Sequence, residues 1–145
     1  MIIRQAHTDE LEAVKEFYLS QGYKGGETMD GTEFTIVAEA EDRIIGAVRL
    51  VIEEGVLVLR GMFIDKPYQR KGIGKQMLDL MDIEIGDREC YSICKEYLER
   101  FLSEIGFSLT KPEKAPKHLA ERFKEYAEQP ELGTMIMVKR EGVKP

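Results

Sequence analysis

The spacing of apolar positions along this chain switches between the helical and the extended period several times, and each switch marks an element. Residues 2–6 read as a short edge strand. Over residues 7–21, Leu11, Val14, Phe17 and Tyr18 share one helical face, and Asp9 with Glu12 forms a capping pair ahead of them. Residues 22–31 are rich in glycine and polar side chains, which predicts a loop or a short mobile helix. Residues 34–40 and 43–52 are β-rich and separated only by Glu41 and Asp42, so they pair as a hairpin. Glu53, Glu54 and Gly55 then turn the chain into a third such run, residues 56–64.

Beyond that run Ile73, Met77, Leu80, Met81 and Ile85 recur at helical spacing until Gly86 ends the helix. Residues 89–94 supply a fifth strand, parallel to the one ending at Ile64 because a helix crosses between them. Residues 95–105 form the next helix, with Tyr97, Leu98, Phe101, Leu102 and Ile105 apolar and Gly106 closing it. Residues 107–109 are a short strand, and Pro112 and Pro116 bracket a linker. Pro116 suits the start of a helix running to Glu128, and residues 134–139 are the last strand. No internal repeat or low-complexity tract interrupts this order, and residues 1–145 read as one domain.

Between the third β-run and the helix that begins at Ile73 lies Gln69, Arg70, Lys71, Gly72, Ile73, Gly74. A strand that feeds a glycine turn opening a helix aims backbone N–H groups and the positive end of the helix dipole at one point. Arg70, Lys71 and Lys75 add cations there, which is the chemistry of a diphosphate site. A P-loop needs a glycine five residues before the Gly74–Lys75 pair and a Ser or Thr after it, but Gln69 and Gln76 stand there. The dinucleotide fingerprint fails too, since Met77 stands three residues after Gly74 and no βαβ unit surrounds the turn. A plain helix-initiating turn is the competing interpretation of the same glycines.

Composition changes the picture little. The chain has 145 residues, 43% hydrophobic and 33% charged, which is ordinary for a globular protein. A formal net charge of −6 argues against nucleic acid or an anionic membrane as the main partner, so the basic turn is a local exception. Arg4 and polar residues follow Met1, Ile2 and Ile3 at once, and no apolar run nears the length of a membrane span, so a cytoplasmic protein is expected. Cys90 and Cys94, if on one strand, would have Cα atoms roughly 13 Å apart at about 3.3 Å per residue, too far for a disulfide. With only His7 and His118 beside them, they make a weak zinc case, and no metal is expected.

The turn fits the Gln/Arg-x-x-Gly-x-Gly/Ala signature of the Gcn5-related N-acetyltransferases, with Gln69, Gly72 and Gly74 in place. Phe101, Leu102, Ser103, Glu104, Ile105, Gly106, Phe107 is similar to the ending of that family's fourth helix, and the order of elements resembles the family over essentially the whole chain. Ala115, Pro116, Leu119, Arg122 and Tyr126, followed by residues 135–140, resemble a subgroup with an extra helix before the last strand. The resemblance implies an α/β (α+β) fold with a mixed, mainly antiparallel seven-strand sheet and four or five helices, splayed between strands four and five. Acetyl-CoA as co-substrate would lie in that gap.

Carried residue by residue, the resemblance has the backbone of Met62, Phe63 and Ile64 hold the pantetheine arm as an added strand would. The amides of Arg70, Lys71, Gly72, Ile73, Gly74 and Lys75 would take the diphosphate, with Lys66, Lys71 or Lys75 reaching the 3′-phosphate. Family members often place a proton-donating Tyr four residues before the glycine that closes helix four; Leu102 stands there. Lys95 replaces the usual Asn, and Pro67 sits one place later than the usual proline. Tyr97 and Cys94 are the substitute catalytic candidates, with Tyr91 also within reach, although an aromatic at helical spacing and a buried thiol are ordinary core features. Glu33, Glu39, Glu53 and Glu54 are unranked candidates for the base.

The implied activity is acetyl transfer to a primary amine of a small molecule or peptide. The alternatives are a non-catalytic acyl-CoA-binding sensor of the same fold, which Leu102 and Lys95 favour, and another nucleotide-phosphate binder. Residues 22–31 and the late helix would shape the acceptor pocket. Arg49 and Arg60, ordinary salt-bridge residues on strands three and four, would favour a carboxylate if both lined it. Oligomeric state, a homodimer included, is left open.

Overall fold

The computed structural model describes residues 1–140. Seven strands form one sheet in the order β1-β2-β3-β4-β5-β7-β6: β1 Ile2–Gln5, β2 Phe34–Ala40, β3 Arg43–Glu53, β4 Val56–Ile64, β5 Cys90–Cys94, β6 Ser108–Thr110 and β7 Met135–Lys139. The sheet is mixed and mostly antiparallel. Its parallel pair is β4 with β5, in register at Val58↔Tyr91. Four α-helices complete the fold, α1 Leu11–Ser20, α2 Ile73–Ile85, α3 Glu99–Glu104 and α4 Lys117–Tyr126, together with single 3-10 turns. The described residues cluster into two compact units, Met1–Val51 with Gly61–Glu84, and Ile52–Arg60 with residues 85–140.

In the first unit, β1 and β2 pair antiparallel from Ile2↔Glu39 to Gln5↔Ile36. β2 and β3 form the predicted hairpin, whose turn residues Glu41 and Asp42 take φ of 54° and 61°. Two left-handed residues in a two-residue loop match the right-handed twist of the strands they join. The spacing that predicts a helix from Ile73 to Ile85 is met by α2, with Ile73, Met77, Met81 and Ile85 buried. Gly46 on β3 leaves room for it, because a Cβ there would lie 3.3 Å from Ala38 and 3.4 Å from the Met77 sulfur.

The first helix differs from expectation at its start. Residues Thr8–Glu10 form a 3-10 turn before α1, and the Glu10 carboxylate accepts from the His7 amide at 2.7 Å. The cap is therefore Glu10, not the Asp9 and Glu12 pair. Arg4 donates to both Glu10 oxygens at 2.7 and 2.9 Å and to Glu39 at 2.8 Å, which ties this start to the edge of β2.

In the second unit, β5 pairs antiparallel with β7 from Cys90↔Lys139 to Cys94↔Met135, and β6 pairs with β7 from Ser108↔Val138. Ser92 Oγ donates to the Leu59 carbonyl at 2.9 Å and supports the parallel pair. The helix predicted over residues 95–105 is broken in two: Glu96–Leu98 is a 3-10 turn and α3 covers only Glu99–Glu104. The break turns Tyr97 to solvent at 61% exposure, so it does not share the buried face of Leu98 and Leu102. Both cysteines are free and buried.

Candidate functional site

The strand–turn–helix in the first unit is built outward from the end of β4. Asp65, the residue after Ile64, donates its amide to the Ile45 carbonyl at 2.7 Å. Its carboxylate accepts from Gln21 and Arg43, both at 3.1 Å, and these hydrogen bonds hold it below the usual carboxylate range. A 3-10 turn, Lys66–Tyr68, carries Pro67. Gln69 then folds back, donating from Nε2 to the Ile64 carbonyl at 2.9 Å. The side chain that opens the motif thus locks the turn to the strand.

Past Gln69 the backbone twists into left-handed geometry at Arg70, φ 63°, and Gly72, φ 78°. Alternating backbone hands of this sort gather successive N–H groups into a concave nest for an anion. Among the described residues, the amides of Arg70, Lys71, Gly72, Ile73, Gly74 and Lys75 meet no protein acceptor, and the helical ladder starts with Gln76 donating to Gly72 at 3.3 Å. Gly72 is open space beyond its Cα, whereas a Cβ on Gly74 would meet Met62 Cε at 3.1 Å and Ile64 Cδ1 at 3.3 Å. Gly72 supplies the turn's conformation; Gly74 lets α2 sit close against β4. The cations lie around this nest, Lys71 over the Tyr68 ring at 5.9 Å and Lys75 paired with Asp79 at 3.0 Å. A group bearing phosphates fits such a collection of unengaged donors, a helix N-terminus and local positive charge.

Tyr97 and Cys94 lie in the second unit. Cys94 ends β5, is 3% exposed, and burial, helped by Glu99, pushes its thiol up to about 12. Cys90, also pushed up to about 12 by burial, is equally unreactive as a thiolate. Lys95 stands 5.9 Å from the Tyr97 ring, and burial lowers its pKa against the pull of Glu131. Lys95, Tyr97, Arg100, Ser103 and Glu131 border an open depression of about 920 Å³. Leu102, where the family's Tyr is expected, is 1% exposed.

Arg49, Arg60, Glu33 and Glu53 were singled out in the sequence, but their grouping into two charge clusters was not. In the second unit Glu53 pairs with Arg60 at 2.6 Å and Arg122 at 2.8 Å, with His118 Nε2 at 3.5 Å; His118 Nδ1 faces Glu54 at 3.5 Å. The i, i+4 spacing of His118 and Arg122 on α4 was the available signal. In the first unit Arg49 is 3% exposed and surrounded by Tyr18, Tyr23 and Glu33. Of the carboxylates named as bases, Glu39 and Glu53 are tied to arginines at hydrogen-bonding distance, while Glu33 lies 3.9 Å from Arg49. Among the described residues no cluster of three or more His, Cys, Asp or Glu could hold a metal, and no helix is long and apolar enough to cross a membrane.

The chain is thus an α/β protein with a mixed sheet whose fourth strand runs through a turn of unengaged amides into a helix. The model of the acetyltransferase (GNAT) domain family matches residues 3–121, and the chain belongs to that family. Its fold is similar to a GNAT-family acetyltransferase from Staphylococcus aureus, at 21% identity over 97% of this chain and 98% of that one, with a TM-score of 0.66. It is also similar to N-acetylglutamate synthase from Neisseria gonorrhoeae in complex with coenzyme A and N-acetyl-glutamate, at 16% identity and a TM-score of 0.69, over 96% of this chain and 34% of that one. Rv2747 from Mycobacterium tuberculosis, solved with CoA, matches at 19% identity and a TM-score of 0.65, over 95% of this chain and 98% of that one. No curated protein matches the sequence.

Proposed function

We propose that the protein transfers an acetyl group from acetyl-CoA to a primary amine on a small molecule or peptide. The observation that carries this reading is the row of six amides, Arg70 to Lys75, left without protein acceptors at the start of α2. In this reading those amides bind the diphosphate, Lys66, Lys71 or Lys75 reaches the 3′-phosphate, and the backbone of Met62, Phe63 and Ile64 aligns the pantetheine arm. Acetyl-CoA supplies an activated acyl carbon whose oxygen becomes negative when an amine adds.

Most of the acceleration then comes from holding amine and thioester together, with a β4 amide stabilising the oxyanion. The C–N bond forms, the C–S bond breaks, the amine proton passes to a carboxylate and the thiolate takes a proton. Of the two side chains named as candidates for that proton, the Cys94 thiol is buried and Tyr97 is exposed. The two free thiols fit a reducing compartment, and a cytoplasmic location belongs to the same reading.

Differential melting tests it. Acetyl-CoA that binds the folded state alone stabilises it by about 2.7 kcal/mol at a hundredfold excess over Kd and so raises the melting temperature; ATP and NAD should not. Thiol release with a panel of amines then tests turnover. The burial of Leu102 favours one competing reading, an acyl-CoA sensor, which predicts stabilisation without thiol release for every amine.

A further inference from the structure

Arg49 has more hydrogen-bonding capacity than its surroundings use. β3 places it at 3% exposure, with its guanidinium carbon 5.9 Å from the Tyr18 ring centre and 6.0 Å from that of Tyr23. One terminal nitrogen, Nη2, donates to the Gly25 carbonyl at 2.7 Å and to the Tyr23 hydroxyl at 3.1 Å. Nε is buried and has no hydrogen-bond partner. The carboxylate paired with it, Glu33, leaves Oε2 at 3.9 Å from Nη1, beyond hydrogen-bonding reach. A guanidinium offers five N–H donors, and burying a cation with donors idle is unfavourable unless something completes it.

Its position suggests what completes it. A Cβ on Gly61 would stand 3.3 Å from Arg49 Nε, so the idle edge lies against the β4 backbone just before Met62. Gly61 directly precedes the stretch, Met62 to Ile64, given above to the pantetheine arm of acetyl-CoA. Glu33 is itself half engaged, with Oε1 accepting from the Gly31 amide at 3.2 Å. A cation with idle donors beside an anion that does not hydrogen-bond to it is the complement of a zwitterion. Tyr18, Tyr23 and Phe63 supply apolar walls, their rings 4.9 to 6.1 Å apart.

We infer that Arg49 and Glu33 form a subsite for an amine that carries a carboxylate, of the amino acid class. Arg49 takes the carboxylate through Nε and Nη1, and Glu33 pairs with the ammonium group. The fate of that amine rests on the acetyl-transfer reading; the carboxylate site does not.

The test uses the full chain and common amino acids, each beside the amine that lacks its carboxylate. The Arg49 Nε–H resonance, assigned by its loss in Arg49→Lys, should move with at least one amino acid in the presence of CoA and with none of the decarboxylated amines. In thiol release the wild type should prefer that amino acid to its partner by tenfold or more. Arg49→Met, which keeps the volume, should abolish the preference while acetyl-CoA still raises the melting temperature. An Arg49 resonance that no amino acid moves, or that decarboxylated amines move equally, overturns the inference, as does a preference that survives in Arg49→Met. Should that variant not fold, the wild-type titration decides alone. Absence of stabilisation by acetyl-CoA would sink the transfer reading and leave the resonance to judge the carboxylate site.

Discussion

Tyr18 donates its hydroxyl to the carbonyl of Gly61 at 2.8 Å, and a Cβ added at Gly61 would stand 2.8 Å from that same hydroxyl. The contact joins α1 to the middle of β4 across 43 residues of sequence. Gly61 has φ 71°, a conformation that costs an L-residue about 1–2 kcal/mol. Gly61→Ala should therefore destabilise by that strain plus the clash. Tyr18→Phe alone should cost about 1 kcal/mol by removing a hydrogen bond to a half-buried carbonyl. In the Tyr18→Phe background Gly61→Ala should cost less than in wild type, because the crowding oxygen is gone. Urea denaturation of the four proteins checks this; additive costs would mean the hydroxyl does not limit the space at Gly61.

The anion nest can be separated from its cations at Lys75. Its amide has no protein acceptor and its side chain pairs with Asp79 on the exposed helix surface. Lys75→Ala removes one cation, whereas Lys75→Pro also removes the N–H at a first-turn position where proline is tolerated. If the amide binds phosphate, the proline variant should bind acetyl-CoA more weakly than the alanine variant by roughly 10-fold or more, as expected for a hydrogen bond to a charged group. Calorimetric titration measures the difference, and equal affinities would remove this amide from the site.

Arg70 adopts φ 63° without being glycine. Arg70→Gly relieves that conformation but loosens the unfolded chain, and the two effects, each about 1 kcal/mol, nearly offset. Stability should stay level or rise slightly while affinity for acetyl-CoA falls through the lost cation. Arg70→Ala keeps the strain and should be the less stable of the two by thermal melting.

Acid should loosen the start of α1. Hydrogen bonds from Arg4 lower the Glu10 carboxyl from 4.5 to about 2. A carboxyl lowered on folding contributes stability that is complete above its unfolded value and is lost as pH falls toward the folded one. Part of the acid sensitivity between about pH 4.5 and 2 should thus vanish in Glu10→Gln, which is less stable at neutral pH. Denaturation midpoints against pH provide the check.

Glu53 joins the β3–β4 turn region to α4. Burial acts to raise its carboxyl, but hydrogen bonds from Arg122 and the charge and hydrogen bond of Arg60 prevail and hold it below the ordinary value. Breaking a buried pair on one side leaves charges uncompensated and typically costs about 3–5 kcal/mol. Glu53→Gln should fall near the lower end, since two arginines and His118 lose their shared anion while the shape stays. Guanidinium denaturation reads the loss, which should be larger than that of Glu54→Gln, whose carboxylate is 73% exposed.

Much of the fold was legible because its signals are local. β2 and β4 begin and end where their β-rich runs do, and α2 spans Ile73–Ile85, because alternation and helical spacing depend only on near neighbours. The turn after β4 was legible for the same reason. The helix expected over residues 95–105 was not, since whether its first turn is 3-10 and where Tyr97 points depend on what the next segment packs against. Gln69 shows the limit at a single side chain: its place in the motif is readable, but its bond to the Ile64 carbonyl is not.

The amino-acid order by itself determined the periods of the elements, the hairpin and the glycine turn, each set by residues a few positions apart. Only tertiary structure decided that Arg49 meets Tyr23, Gly25 and Glu33 and lies against Gly61, and that Glu53 meets Arg60, His118 and Arg122. These meetings depend on strand register and loop path. Burial then gives them their energetic weight, because a charge removed from water must find its partners within the protein.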